Sequence, residues 1–159
     1  MRRKLDKQAT KSLSKAIIGW SENVDFPEWL IAGVKAKVDT GARTSALHVE
    51  NLEAIDRDHV AFDVVTGQKQ RRHHRVTAKV LKWARVRSSN GLYTERCFVT
   101  TRVRIATVEK EIELSLVSRE DMQFRMLLGR EALKHDFLVD VGHRTLATKK
   151  KKKAKRRAK

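Results

Sequence analysis

Between Val34 and Leu116 one pattern recurs five times: apolar residues at every second position, with charged or polar ones between them. Val34, Ala36 and Val38 flank Lys35 and Lys37. Val60, Phe62 and Val64 form a second set, and Val76, Ala78 and Val80 a third. Val99, Thr101, Val103 and Ile105 alternate with Thr100, Arg102 and Arg104, and Ile112, Leu114 and Leu116 with Glu113 and Ser115. A period of two puts each set on one face of a β-sheet, which a helix of 3.6 residues per turn cannot do. Five such runs at short intervals predict an all-β domain, an antiparallel barrel or sandwich. Asn90-Gly91 between two of them predicts a two-residue hairpin turn, because both residues tolerate positive φ. Ala16 to Trp20 reads as a first strand, Asp25-Phe26-Pro27 as the turn after it, and only Arg130 to His135 reads as a helix, a short one. Trp20, Trp29 and Trp83 fall in strand-like regions and read as core or edge residues.

The charge is uneven along the 159 residues. Of the formal +17, residues 149–159 supply nine basic groups and no acid, and residues 1–15 supply six basic groups and one acid. That leaves +3 for residues 16–148, an ordinary domain between two basic ends. Residues 1–15 read as a loosely held basic arm and 149–159 as a self-repelling, disordered tail. A hydrophobic fraction of 40% is too high for a wholly disordered chain. No stretch approaches the ~20 apolar residues of a membrane span, and no apolar segment follows the basic N-terminus as in a secretory signal. The single cysteine, Cys97, rules out an internal disulfide framework and any zinc site needing two thiolates from one chain. A cytoplasmic setting is expected, and Cys97 reads as a small buried hydrophobe.

The first alternating strand runs straight into Asp39-Thr40-Gly41-Ala42. A carboxylate at the end of a strand is held rigidly. Thr40 can bond across to a partner loop, and Gly41 lets the backbone turn with its N–H free to donate to the carboxylate. If two such carboxylates met, they could not both ionise; one shared proton would let the pair activate a water and protonate a carbonyl. As a tripeptide, Asp-Thr-Gly is also a common turn. Met126-Leu127-Leu128-Gly129-Arg130, before the short helix, adds the apolar–apolar–Gly strand that crosses beside such a loop in an acid-protease half-barrel.

Lys35 through His48 resembles the opening signature of the bacterial and archaeal proteins called ATP-dependent zinc proteases, whose domain is similar to a retropepsin. Ile18-Gly19-Trp20, Arg87-Ser88-Ser89-Asn90-Gly91, Glu95-Arg96, Leu116 to Arg119, Met122 and Met126 to Arg130 extend the resemblance over about residues 17 to 146. It implies a closed retropepsin-like acid-protease barrel over residues 16–148 with one short C-terminal helix. It also implies an aspartic peptidase with Asp39, Thr40 and Gly41 as catalytic residues. One Asp-Thr-Gly in a half-length domain implies a homodimer with Asp39 of each copy in one dyad. Two positions depart from the family, Cys97 and Arg125, where proline is expected. The resemblance further suggests a link to an ATP-grasp ligase of the RimK type that adds glutamate tails to a ribosomal protein.

Zinc and ATP find little support in the residues themselves. There is no His-Glu-x-x-His and no Gly-x-x-x-x-Gly-Lys-Ser/Thr. No metal ligand set and no cofactor are therefore expected, and any nucleotide belongs to a partner. His48 is the histidine worth keeping, and Asp39 with His48 as metal ligands is a third reading. Arg43, Arg87, Arg96, Arg119 and Arg130 fall within the matched motifs. Guanidinium groups fork onto carboxylates, so these five are candidate contacts for an acidic peptide substrate, though each could pair with an internal acid instead. The rival to a peptidase is a noncatalytic module that binds a ribosomal protein, RNA or a ligase through its basic ends. RNA or ribosome contact through 149–159 would be unspecific and salt-dependent.

Overall fold

The computed structural model describes residues 14–118, 120 and 123–148. The tail 149–159, most of the N-terminal arm, Arg119 and Met122 lie outside the described residues. Among the described residues ten strands carry the fold: β1 (Ala16–Gly19), β2 (Ser21–Phe26), β3 (Ile31–Val38), β4 (Ser45–Ala54), β5 (His59–Thr66), β6 (Arg72–Arg87), β7 (Tyr93–Ile105), β8 (Val108–Val117), β9 (Met126–Leu128) and β10 (Phe137–Asp140). The same residues also form one helix, α1 (Arg130–Leu133), and a 3-10 turn at Pro27–Trp29.

Eight strands join in the order β2-β3-β9-β4-β5-β6-β7-β8, and additional β2–β7 and β4–β8 pairings roughly close the ring. The alternating residues line its inside. Val34, Ala36, Val60, Phe62, Val64, Val76, Val99, Val103, Ile105, Ile112, Leu114 and Leu116 belong to one buried cluster with Phe26, Met126 and Leu128. The all-β, retropepsin-like fold with one short helix is as expected. β1 and β10 form a separate two-stranded parallel sheet in which Ala16 to Gly19 pair with Phe137 to Asp140. Ala16 and Phe137 are 121 residues apart, so no local pattern announces the pairing.

Three local expectations change. The strand Ala16 to Trp20 breaks at Trp20, and β2 follows at once, so Asp25 and Phe26 end a strand and Pro27–Trp29 make the turn. Trp29 therefore sits in that turn, stacked on Phe26 at 4.9 Å, and Trp83 on β6 stays 47% exposed. The β6–β7 hairpin forms, but its turn is longer than two residues. The Gly91 N–H donates to the Ser88 carbonyl (2.9 Å) and the Ser88 N–H to the Leu92 carbonyl (2.8 Å), and only Gly91 takes positive φ, at 83°. The Ser88 hydroxyl, bonded to Asn90 and to the Leu92 carbonyl, closes this wider loop. Cys97 is buried in β7, and burial pushes its thiol up.

Candidate functional site

β3, β9 and β4 lie side by side and hold the Asp-Thr-Gly turn between them. β9 runs parallel to β3, with Val38 beside Leu128, and antiparallel to β4, with Ala46 beside Leu127. The chain leaves β3 at Val38, forms residues 39–44 as a loop, and returns as β4 on the far side of β9. The Asp39 N–H donates to the Leu128 carbonyl at 2.9 Å, and the Ala42 N–H to the Asp39 carbonyl at 3.2 Å. The Gly41 N–H reaches Oδ1 of Asp39 at 3.0 Å, which orients the half-buried carboxylate.

The start of α1 clamps the other end of the loop. The Arg130 N–H donates to the Ala42 carbonyl (2.8 Å), and the Glu131 N–H to the Arg43 carbonyl (3.0 Å). Gly129 donates its N–H to Oγ of buried Ser45 at 3.0 Å. It is packed so closely that a Cβ there would lie 2.7 Å from the Arg43 carbonyl oxygen. Ser45 is a residue that motif reading passed over, and its only sequence signal is its place within the matched stretch.

Asp39, Gly41 and Ala42 form one wall of an open groove of about 800 Å³, with Ala46 and Leu127 beside them. The β6–β7 hairpin supplies the facing wall through Val86, Arg87, Ser88, Ser89 and Arg96, and Val117, Ser118 and Glu120 close one end. Of the five candidate arginines, Arg87 and Arg96 line this groove. Arg43 lies in a different cleft, with its Nε 3.8 Å from Glu131. Arg130 turns onto the loop itself, and its Nη1 donates to the carbonyls of Thr40 and Gly41, each at 3.0 Å. Arg119 is outside the described residues. Thr40 is exposed at the tip of the loop.

His48 does not line this groove. Its ring is buried, with Nε2 3.3 Å from Oε1 of Glu50, a carboxylate that also takes His73 and Arg71. The His73 bond, larger than the opposing effect of burial, holds Glu50 below the usual carboxylate range, with His48 and Arg71 adding to it. Among the described residues no three His, Cys, Asp or Glu are grouped to hold a metal ion. No described helix is long and apolar enough to cross a membrane.

Residues 17–150 match the family model described as RimB-like, retropepsin-like aspartic endopeptidase RimB. That description names an aspartic endopeptidase and does not support the zinc-protease name carried by the resembling proteins. A probable alpha-L-glutamate ligase of Shewanella halifaxensis is 37% identical over 131 residues, which cover 80% of this chain and 29% of the relative. One of Desulfotalea psychrophila is 36% identical over 135 residues, again 29% of its length. The chain thus spans under a third of these curated relatives. The crystal structure of a Legionella pneumophila protein of unknown function superposes with a TM-score of 0.69 at 22% identity, covering 84% of this chain and 99% of that one. The last likeness concerns the fold alone.

Proposed function

The chain belongs to the RimB-like family of retropepsin-like aspartic endopeptidases, and from that membership we propose that it hydrolyses peptide bonds through Asp39 paired with Asp39 of a second copy. A single Asp-Thr-Gly turn supplies one carboxylate, and twofold pairing supplies the other. The pair shares one proton. The ionised member takes a proton from water as the water oxygen attacks the peptide carbonyl carbon, and the protonated member gives its proton to the carbonyl oxygen. As the C–N bond of that adduct breaks, the carboxyl that took the water proton gives it to the departing nitrogen, and the other carboxylate takes one from a hydroxyl of the adduct, which restores the shared proton. Thr40, at the exposed tip, braces one loop against the other, and Gly41 keeps the carboxylate oriented.

The observation that carries this reading is that Asp39 shares its groove with two arginines, Arg87 and Arg96. An acidic peptide suits such a groove, because each carboxylate can take charge-assisted bonds from an arginine. The relatives named probable alpha-L-glutamate ligase support a substrate bearing glutamyl residues. Arg130, engaged with the loop, acts here as its brace rather than as a substrate contact.

The test is cleavage of glutamate-rich and apolar peptides by the full chain and by Asp39→Asn. The expected result is cleavage favouring the acidic peptide and a loss of about 10²–10⁴-fold in Asp39→Asn, the usual contribution of a general acid–base group. Unchanged activity in that variant, a preference for apolar peptides, or full activity in a strict monomer would overturn the reading. A chelator should leave the rate unaltered.

A second reading is favoured by the same relatives. A domain that matches 29% of a ligase's length is suited to act as an accessory module, holding a ligase, a ribosomal protein or RNA without cleaving anything. Binding of such a partner by an Asp39→Asn variant whose parent cleaves no peptide distinguishes it.

A further inference from the structure

A second cleft, of about 630 Å³, lies beside the Asp39 groove and, among the described residues, shares Glu120 alone with it. Its charged wall is a row across β2, β3 and the residue that leads into β9. Asn23 of β2 pairs with Lys35 of β3. Arg125 comes next, because Lys35 and Arg125 each stand one residue before the Ala36–Met126 pair. Thr66 and Gln123 add uncharged polar groups, and exposed Glu120 is the one carboxylate among the described lining residues.

The two cations of this row are short of counter-charge. Among the described residues neither Lys35 nor Arg125 has a carboxylate within 4.0 Å. Lys35 sits 5.7 Å from the centre of the Phe124 ring, and Arg125 donates to the Gly67 carbonyl at 2.7 Å. Burial, followed by the like charge of Arg71, pulls Arg125 below the usual arginine value against the smaller pull of Glu50. Glu50 is already taken by Arg71, His48 and His73, so it has little left for Arg125.

The cleft and the groove lie on one continuous face. Residues of a strand alternate sides, so Lys35 and Lys37 share a face that leads to Asp39, and Arg125 leads to Leu127, which lines the Asp39 groove. From Lys35 to Asp39, the residue just past the end of β3, is four residue steps, about 13 Å at ~3.3 Å each. An extended peptide covers that span with the same number of residues.

We propose that the Asn23–Lys35–Arg125 cleft is a carboxylate-binding subsite, which takes an acidic group of a peptide about four residues from the bond held at Asp39. This rests on the peptidase reading. Arg125 stands where the resembling proteins are expected to have proline, so the subsite is a property of this chain and not one carried over from them.

The test reads binding apart from cleavage. Fluorescently labelled octaglutamate is titrated by anisotropy onto the full-length Asp39→Asn chain, alone and with Lys35→Gln plus Arg125→Gln. The double substitution should weaken octaglutamate by about tenfold or more, the ratio that one charged contact gives. It should leave triglutamate, too short to reach, unaltered. Lys79→Gln, an exposed cation lining neither cleft, should change neither peptide, and Arg125→Lys should recover part of the loss while confirming that the site still folds. Comparing amidated with free-acid octaglutamate tells a side-chain carboxylate from the terminal one. Absent octaglutamate binding, an unaltered affinity in the double variant, or an equal loss in Lys79→Gln overturns the subsite. If the parent chain cleaves nothing yet binding still depends on Lys35 and Arg125, the peptidase reading fails and the subsite stands. If cleavage depends on Asp39 while binding ignores Lys35 and Arg125, only the subsite fails.

Discussion

Nη1 of Arg130 donates to the carbonyl oxygen of Thr40 at 3.0 Å, and to that of Gly41 at the same distance. A side chain from the first turn of α1 thus grips the backbone of the turn that bears Asp39. Arg130→Ala removes both bonds without disturbing the core, since Arg130 is exposed. Peptidase turnover should fall about tenfold, with substrate KM little altered, while the melting temperature moves by only a few degrees. Arg130→Lys should restore only part of the loss, because its ammonium sits on a shorter stem than the Nη1 that reaches both carbonyls. A large rise in KM with turnover unaltered would show instead that Arg130 touches substrate.

Gly129→Ala tests how closely the entry to α1 packs on the end of the Asp39 loop. The added methyl would meet the Arg43 carbonyl oxygen and the Thr44 carbonyl carbon at 2.7 Å, and both are backbone atoms that cannot swing aside. A destabilisation of about 1–3 kcal/mol is expected from overpacking. Chemical denaturation checks it. Activity should fall further than stability explains, because the displaced atoms belong to the Asp39 loop.

Arg87 and Arg96 share the groove with Asp39, whereas Arg43 does not. Arg87→Gln and Arg96→Gln should each raise KM for glutamate-rich peptides several-fold and leave apolar peptides unaffected. Arg43→Gln should change neither. Steady-state kinetics on matched peptide pairs decides it, and equal effects from all three would remove the distinction drawn from the groove.

Glu22 is 1% exposed and fastens the chain after β10 to β2. Its Oε1 accepts the N–H groups of Gly19 (2.8 Å) and Ala147 (2.9 Å), and its Oε2 accepts the Thr148 N–H (3.1 Å) and hydroxyl. Burial taken alone raises its pKa, but the bonds from Ala147, Gly19 and Thr148 together outweigh burial and hold it below its ordinary 4.5. A depressed carboxylate stabilises the fold fully above that ordinary value and loses its contribution as pH falls through the lower folded value. Urea midpoints should therefore drop as pH is taken below about 4.5, with hydrogen exchange quickening first at Ala147 and Thr148. Glu22→Gln should be less stable at pH 7 and lose that part of the acid dependence.

Much of the ring was readable in advance because β3, β5, β6, β7 and β8 each contain a run of alternating residues with one face in the core. β4 carries no such alternation. Ser45, Ala46, Leu47, His48 and Val49 are all buried, so the run has no polar face to mark a period. The strand pairs with β5, β8 and β9, neighbours on both edges. β2 is hidden for a related reason. Glu22 and Asn23 look like solvent residues, and Glu22 is buried only because donors from residues 147 and 148 converge on it. At the candidate site Asp39, Thr40 and Gly41 could be picked out by motif. Which arginines stand beside Asp39 could not, since Arg87 and Arg96 reach the groove only through the β6–β7 hairpin and Arg130 folds back onto the loop.

Local pattern and motif were thus enough to specify an all-β chain and a carboxylate at a strand end, because side-chain alternation and a turn's composition depend on neighbours in sequence. The tertiary structure decided which charges face that carboxylate, which brace its loop, and which stand apart at Lys35 and Arg125. Those outcomes depend on strand order and register, set when residues distant in the chain pair and exclude water together.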